Sequence, residues 1–316
     1  QDNINARNLM HKHKPEDFLT SQSLNEAAFD TFTQINGKRK IFWETRSRYK
    51  NNQHSKKLQK KLQNGLYILN YHDICTEKEA KEYKKLNYAS IYTTRQNLED
   101  HLTFLQENGE VMDLSEALQM WHCGEIGNRT IFVITVDDGL KSSQFIIDKL
   151  HEIGVKPTLF LNANTLLNPG SVLHNHRHLQ ANLNHAGVCD KYFSTDDIKK
   201  LLTNSVGGIE LGSHTFNHIN LSDVTLKEAR FEIVECHRVV EKLVGAQIPY
   251  FSFPFGKLDK RNYLSDSAAR SLNATIFECY GGINNVYRKP YNLLRIGIHN
   301  ESKNEFAKLL SRQWIR

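Results

Sequence analysis

The 316-residue chain contains no run of eighteen apolar residues and no secretory-type apolar stretch, so neither a membrane-spanning helix nor a signal segment is expected. Cysteine is sparse: five residues, at 75, 123, 189, 236 and 279, with no Cys-x-x-Cys pair among them. An odd, scattered set excludes a disulfide framework and points to reduced thiols in a cytoplasmic protein. No internal repeat is visible, and the length and apolar content suit one barrel-sized domain plus an extension.

Excess charge is also missing from most of the chain, although the formal total is +6. Residues 1–61 hold 13 Lys and Arg against 6 Asp and Glu, leaving 28 against 29 in the remainder. The excess belongs to a lead-in, residues 1–64, distinct from a main domain over 65–316. Within it Ser23-Leu24-Asn25-Glu26 reads as a capping box, followed by Ala27, Ala28, Phe29, Phe32 and Ile35 and stopped by Gly37, which describes a short amphipathic helix. From Lys38 to Lys61 the chain is strongly basic. Such a run is ordinarily a solvated face; its functional reading is attraction to an anionic membrane surface or an acidic, lipid-linked carrier. No nucleic-acid motif accompanies the charge, so nucleic acid is not expected as a partner.

What the chain does have is two short polar blocks, each following a strand-like run. Thr130 to Val136 reads as a buried strand, and Asp137-Asp138-Gly139 leaves its carboxyl end. Ile209-Glu210-Leu211-Gly212 is a second strand-like run, followed by His214-Thr215-Phe216-Asn217-His218. Taken singly, the first is an ordinary polar turn and the second an ordinary pair of surface histidines. Together they supply three ligands for one divalent ion, Asp138, His214 and His218, with a position left for water. Asp137 then has a separate job as the base that takes the water's proton during attack on a carbonyl. Two imidazoles and one carboxylate suit Zn, with Co, Ni or Fe as substitutes, over Mg or Ca.

These blocks resemble the polysaccharide deacetylase family, carbohydrate esterase family four, which carries a Thr-Phe-Asp-Asp-Gly block and a His-Ser/Thr-x-x-His block. The resemblance extends to Lys156-Pro157-Thr158-Leu159-Phe160-Leu161 and to Phe251-Ser252-Phe253-Pro254-Phe255-Gly256. It implies the same assignment of Asp137, Asp138, His214 and His218, and gives the backbone N–H of Phe255 the tetrahedral oxyanion. Where many members have Arg-x-Pro-Tyr, this chain has Ser252-Phe253-Pro254-Phe255, so the Arg that would pair with the base is absent, which bears on how Asp137 is tuned. The Phe-Pro-Phe-Gly form looks like the poly-N-acetylglucosamine deacetylase branch, whose permuted strand order takes its general acid from a Tyr-His segment near the start. That implies His72, in Leu69-Asn70-Tyr71-His72-Asp73, oriented by Asp73 or another carboxylate and facing the metal across from Asp137. His299 is the competing candidate. The implied activity is metal-dependent removal of N-acetyl groups from a sugar of a surface glycan or its precursor. O-deacetylation, another C–N hydrolysis and a non-catalytic glycan-binding or assembly protein remain as alternatives.

From Gly65 onward, strand-like and helix-like runs alternate, the clearest helix being Leu226 to Val244 with Gly245 as its stop. This rhythm implies parallel strands with crossover helices. With the resemblance, the expected fold is an α/β, irregular and incomplete (β/α) barrel of seven strands, the last at Leu294 to Ile298, behind the basic helical extension. Asn164 to Asp190, rich in Asn and His, reads as a long loop walling a sugar cleft. Ser194-Thr195-Asp196-Asp197 reads as a helix cap.

Overall fold

A computed structural model describes residues 62–313 except 86–90, 169, 172, 174–190, 205–206, 257–259 and 286–291. The basic lead-in and the cluster of His174, His176, His178 and His185 lie outside the described residues.

Eleven strands are described: β1 (Gly65–Tyr71), β2 (Asp73–Cys75), β3 (Tyr92–Thr94), β4 (Glu110–Val111), β5 (Thr130–Asp137), β6 (Thr158–Leu161), β7 (Glu210–Ser213), β8 (Tyr250–Ser252), β9 (Thr275–Glu278), β10 (Asn292–Leu294) and β11 (Ile296–Gly297). The main sheet runs β10-β9-β8-β7-β6-β5-β1-β11, with β4 beside β5, and every strand pair in it is parallel. β1 is buried throughout, as expected for a parallel strand covered on both faces. β2 and β3 form a separate two-stranded sheet.

The expected α/β barrel is present, but its path holds eight strands rather than seven. The run read as one strand, Leu294 to Ile298, is two: β10 pairs with β9 and β11 with β1, and Arg295 alone separates them. β10 and β11 sit at opposite ends of the path. The sheet is therefore nearly closed, and Arg295 stands at the seam.

Pleating sorts the side chains. Alternate residues of neighbouring strands gather in one cluster, including Leu66, Ile68, Ile131, Val133, Phe160, Tyr250, Phe277 and Leu293. The intervening residues, among them Tyr67, Leu69, Phe132 and Ile134, join a second cluster with the helices. Continuing the first set by two residues at each strand end reaches Asn70, Thr135 and Asp137, Ser252 and Arg295, all buried. The apolar filling thus gives way to a polar layer at the carboxyl ends of the strands, where β/α barrels carry their sites.

Short local signals start and stop the helices. The Ser194 side chain caps the helix Thr195–Leu202 in a capping box with Asp197, as its sequence implies. The run Leu226 to Val244 is helical throughout, opened by a Thr225/Glu228 capping box and ended by left-handed Gly245, but Phe231–Glu235 within it is π-helical. The helix Arg95–Asn108 holds His101, fully buried and stacked on Phe306 with ring centroids 3.9 Å apart. Its Nδ1 meets the Tyr71 hydroxyl at 3.2 Å and its Nε2 the Glu301 carbonyl oxygen at 2.7 Å. Burial pushes this imidazole down to about 4. The unfolded chain binds the proton first, so this contribution is complete above about pH 6.5 and is lost as pH falls toward 4. A shift of that size is worth about 3 kcal/mol. Denaturant unfolding of wild type between pH 7 and 4.5 should show the decline, and His101→Gln should flatten it; equal slopes would remove His101 as the cause.

Among the described residues no helix is long and apolar enough to cross a membrane. Cys75, Cys123, Cys236 and Cys279 are free thiols, and Cys189 lies outside the described residues.

Candidate metal centre

Asp137 is the last residue of β5 and 2% exposed. Arg295 grips it bidentately, Nη1 to Oδ1 at 2.7 Å and Nη2 to Oδ2 at 2.8 Å, and Asn70 Nδ2 donates to Oδ2 at 3.0 Å. Arg295 Nη1 also donates to Asn70 Oδ1 and Thr135 Oγ1, each at 3.1 Å, and Nη2 to Ser252 Oγ. Its guanidinium lies over the Phe160 ring, 4.9 Å from the centroid. Burial alone would raise the Asp137 carboxyl; the Arg295 charge, then His214, outweighs it and holds the group at about 2. This carboxylate is therefore ionised at neutral pH.

The Arg missing from the Phe-Pro-Phe segment is thus supplied from the other end of the chain, which corrects the reading that the base lacks one. Its local signal is a lone Arg inside Leu293-Leu294-Arg295-Ile296, where an apolar run buries a charge that needs a partner.

Asp138 follows in a left-handed conformation (φ 73°) and is fully buried. His214 follows β7; its Nδ1 lies 2.9 Å from the Ser252 carbonyl oxygen. A carbonyl only accepts, so Nδ1 carries the proton and Nε2 offers its lone pair. That Nε2 stands 3.6 Å from Asp138 Oδ1, and His218 Nε2 stands 3.3 Å from the same oxygen. One donor atom from each of Asp138, His214 and His218 lies within 4.8 Å of the others. Two nitrogens and one carboxylate oxygen converging in a buried pocket fit a divalent ion.

The four non-glycine residues with positive φ among the described residues are Asp138, Thr215 (65°), His218 (55°) and Phe255 (61°), and all belong to this region. Each such conformation costs roughly 1–3 kcal/mol and persists only where its surroundings over-determine it. Asn162 Nδ2 braces the His214 and Thr215 carbonyls at 2.5 and 3.0 Å, and the His218 N–H donates to Thr215 Oγ1 at 3.1 Å. Phe255 turns its 42%-exposed ring edge-on to His218, with centroids 4.9 Å apart. Gly256 next to it has φ 61°, and a Cβ there would meet the Cys279 Cβ at 2.3 Å.

His72 follows β1, whose register with β5 pairs Tyr71 with Val136 and so sets His72 alongside Asp137. Its Nε2 lies 3.9 Å from Asp137 Oδ2. The ring is thus beside the carboxylate, where the sequence reading put it across the metal. Asp73 does not orient it: that carboxylate accepts from Ser142 Oγ at 2.5 Å, and His72 Nδ1 has no hydrogen-bond partner among the described residues. Burial lowers the proton affinity of His72, with Asp138 and Asp137 pulling the other way. His299 is exposed; its N–H donates to Glu301 Oε2 at 2.7 Å and its carbonyl accepts from Thr93 Oγ1 at 2.8 Å.

A parallel β/α barrel with a buried histidine–carboxylate triad at the carboxyl ends of its strands is the class that fold and site define. Residues 125–277 match the polysaccharide deacetylase family, the same family that the sequence blocks resemble. The matched stretch includes Asp137, Asp138, His214, His218 and Phe255, while His72 and Arg295 fall outside it. Over 194 residues, 59% of this chain, the sequence is 22% identical to the Bacillus subtilis protein YxkH, whose polysaccharide deacetylase designation is itself provisional. The alignment spans 61% of that relative's length. The fold is shared with the Streptococcus pyogenes deacetylase PplD, solved in complex with acetate, at TM-score 0.59 and 17% identity, covering 78% of this chain and 98% of that one. A de-N-acetylase from Aggregatibacter actinomycetemcomitans gives 0.61 and 16%, covering 78% and 99%. IcaB from Ammonifex degensii gives 0.59 and 16%, covering 79% and 98%.

Proposed function

We propose that this chain is a divalent-metal-dependent hydrolase that removes N-acetyl groups from a sugar of a surface glycan or its precursor. The observation that carries the reading is the Asp138–His214–His218 donor set standing beside a carboxylate that Arg295 keeps ionised. The names of two similar structures, one a de-N-acetylase and one holding acetate, support the same reaction class.

Asp138, His214 and His218 hold the ion, which when bound polarises a carbonyl and acidifies water. Asp137 accepts the proton of the attacking water. The Phe255 N–H donates to the oxygen that gains negative charge, a task for the main chain that needs no particular side chain. His72 delivers a proton to the departing nitrogen, and a lowered proton affinity makes its protonated form the stronger acid. The positive excess of residues 1–61 draws the protein to an anionic carrier or membrane.

The test is acetate release from N-acetylated chito-oligosaccharides and from O-acetylated sugars, by protein stripped of metal and by protein reloaded with Zn²⁺, Co²⁺ or Ni²⁺. Release from the N-acetyl substrate by reloaded protein alone is expected; release only from O-acetyl sugars would move the chain to the esterase reading. His72→Ala should lose about 10²–10⁴ in kcat with metal content unchanged, and His299→Ala should stay within a few-fold of wild type. The reverse ranking would transfer the acid role to His299.

A further inference from the structure

The loop between the two histidine ligands is gripped by a residue that no motif marks. Glu232, 4% exposed, lies in the π-helical stretch Phe231–Glu235 of the helix that follows this loop. Its main-chain carbonyl accepts the Phe216 N–H at 2.9 Å. Its carboxylate accepts the Asn217 N–H through Oε2 at 2.9 Å and the Asn217 side-chain amide through Oε1 at 2.7 Å. One residue therefore fixes two consecutive residues, and His218 comes next in the chain.

The grip has work to do, because Thr215 and His218 both hold left-handed backbone conformations. A loop carrying two such residues relaxes unless outside contacts over-determine it. Relaxation would carry the His218 Nε2 away from Asp138. A carboxylate suits the task, since it offers two acceptor oxygens to the two donors that Asn217 presents. The π turn is a further sign, as such bulges are frequent at functional sites.

We infer that Glu232 is a positioning residue of the metal centre, holding the Phe216–Asn217 segment so that His218 is pre-organised to ligate. This rests on the metal-site reading, and the experiment separates the two. Zn²⁺ binding to metal-free full-length protein is measured by calorimetry against a competing chelator, with folding of each variant checked by circular dichroism. Glu232→Ala is expected to weaken Zn²⁺ binding about tenfold or more, the scale on which supporting contacts of metal ligands act. Glu232→Gln is expected to stay within about threefold, because its carbonyl keeps the Asn217 N–H and its amide meets Asn217 Oδ1 once that side chain turns over. Asn217→Ala, which removes one of the three hydrogen bonds, should fall between them and decides the matter should Glu232→Ala fail to fold.

Wild-type affinity in folded Glu232→Ala, or in Asn217→Ala where that variant decides, overturns the inference. So does a Glu232→Gln variant as weak as Glu232→Ala, which would make charge rather than geometry the cause. A wild-type protein that binds no Zn²⁺ refutes the metal centre itself.

Discussion

Arg295→Ala is expected to lower the free energy of unfolding by about 3–5 kcal/mol, the cost of leaving a buried carboxylate without its partner. Asp137 is buried at the end of β5, and two guanidinium hydrogen bonds are its strongest attachments. Removing them leaves Asn70 as the only described side-chain donor to the carboxylate. Arg295→Lys should recover little, because a point charge cannot replace the planar fork that also reaches Asn70, Thr135 and Ser252. The double variant Arg295→Met/Asp137→Asn should regain much of the stability while remaining inactive, since it removes the charge as well as its partner. Denaturant unfolding of the three variants is the measurement. A loss below about 1 kcal/mol for Arg295→Ala would mean that the pair behaves as a solvent-screened surface bridge. The sign of the pH effect follows from the depressed Asp137 pKa: its contribution is present above about pH 4 and is lost as pH falls toward 2.

Asp137→Asn is expected to retain the metal and lose about 10²–10⁴ or more in turnover, because an amide keeps the size and much of the hydrogen bonding of the carboxylate but cannot take a proton. Asp138→Ala, one residue away, should lose both metal and activity. His214 Nε2 stands 3.6 Å from both carboxylates, so the difference lies in their other neighbours: Arg295 grips Asp137 at the strand end, while Asp138, turned through φ 73°, stands 3.3 Å from His218 Nε2. Metal content by elemental analysis, set beside acetate release, separates the roles. Equal metal loss in both variants would sink the division of labour.

Asp137 and Asp138 are neighbours in sequence, as are His214 and His218 to within one loop, and both blocks follow recognisable strands. That is why the donor set was legible. Arg295 lies 158 residues from Asp137, and Ser252, Asn70 and Glu232 are ordinary residues until the barrel gathers them. No local period announces a partner at that range. The same limit explains the strand count, since one apolar run looks like one strand until hydrogen bonding shows it serving two neighbours. β2 and β3 span three residues each, too short for a periodicity to emerge. The Leu226 to Val244 helix was legible by its apolar face, but the π turn inside it leaves that face nearly undisturbed.

The seam at Arg295 also bears on how the protein is made. β1 is synthesised first among the barrel strands and β11 last, and they are neighbours in the finished sheet. Domains generally form as their chain is completed, amino end first. A nascent or prematurely released chain ending before residue 295 would contain every proposed metal ligand and the proposed base, yet lack the cation that makes a buried carboxylate tolerable there. Such a fragment would hold an open sheet with unpaired edges and an acid inclined to stay protonated. The strand that brings the sheet back to β1 and the cation that partners the Asp137 carboxylate thus arrive within the same few residues.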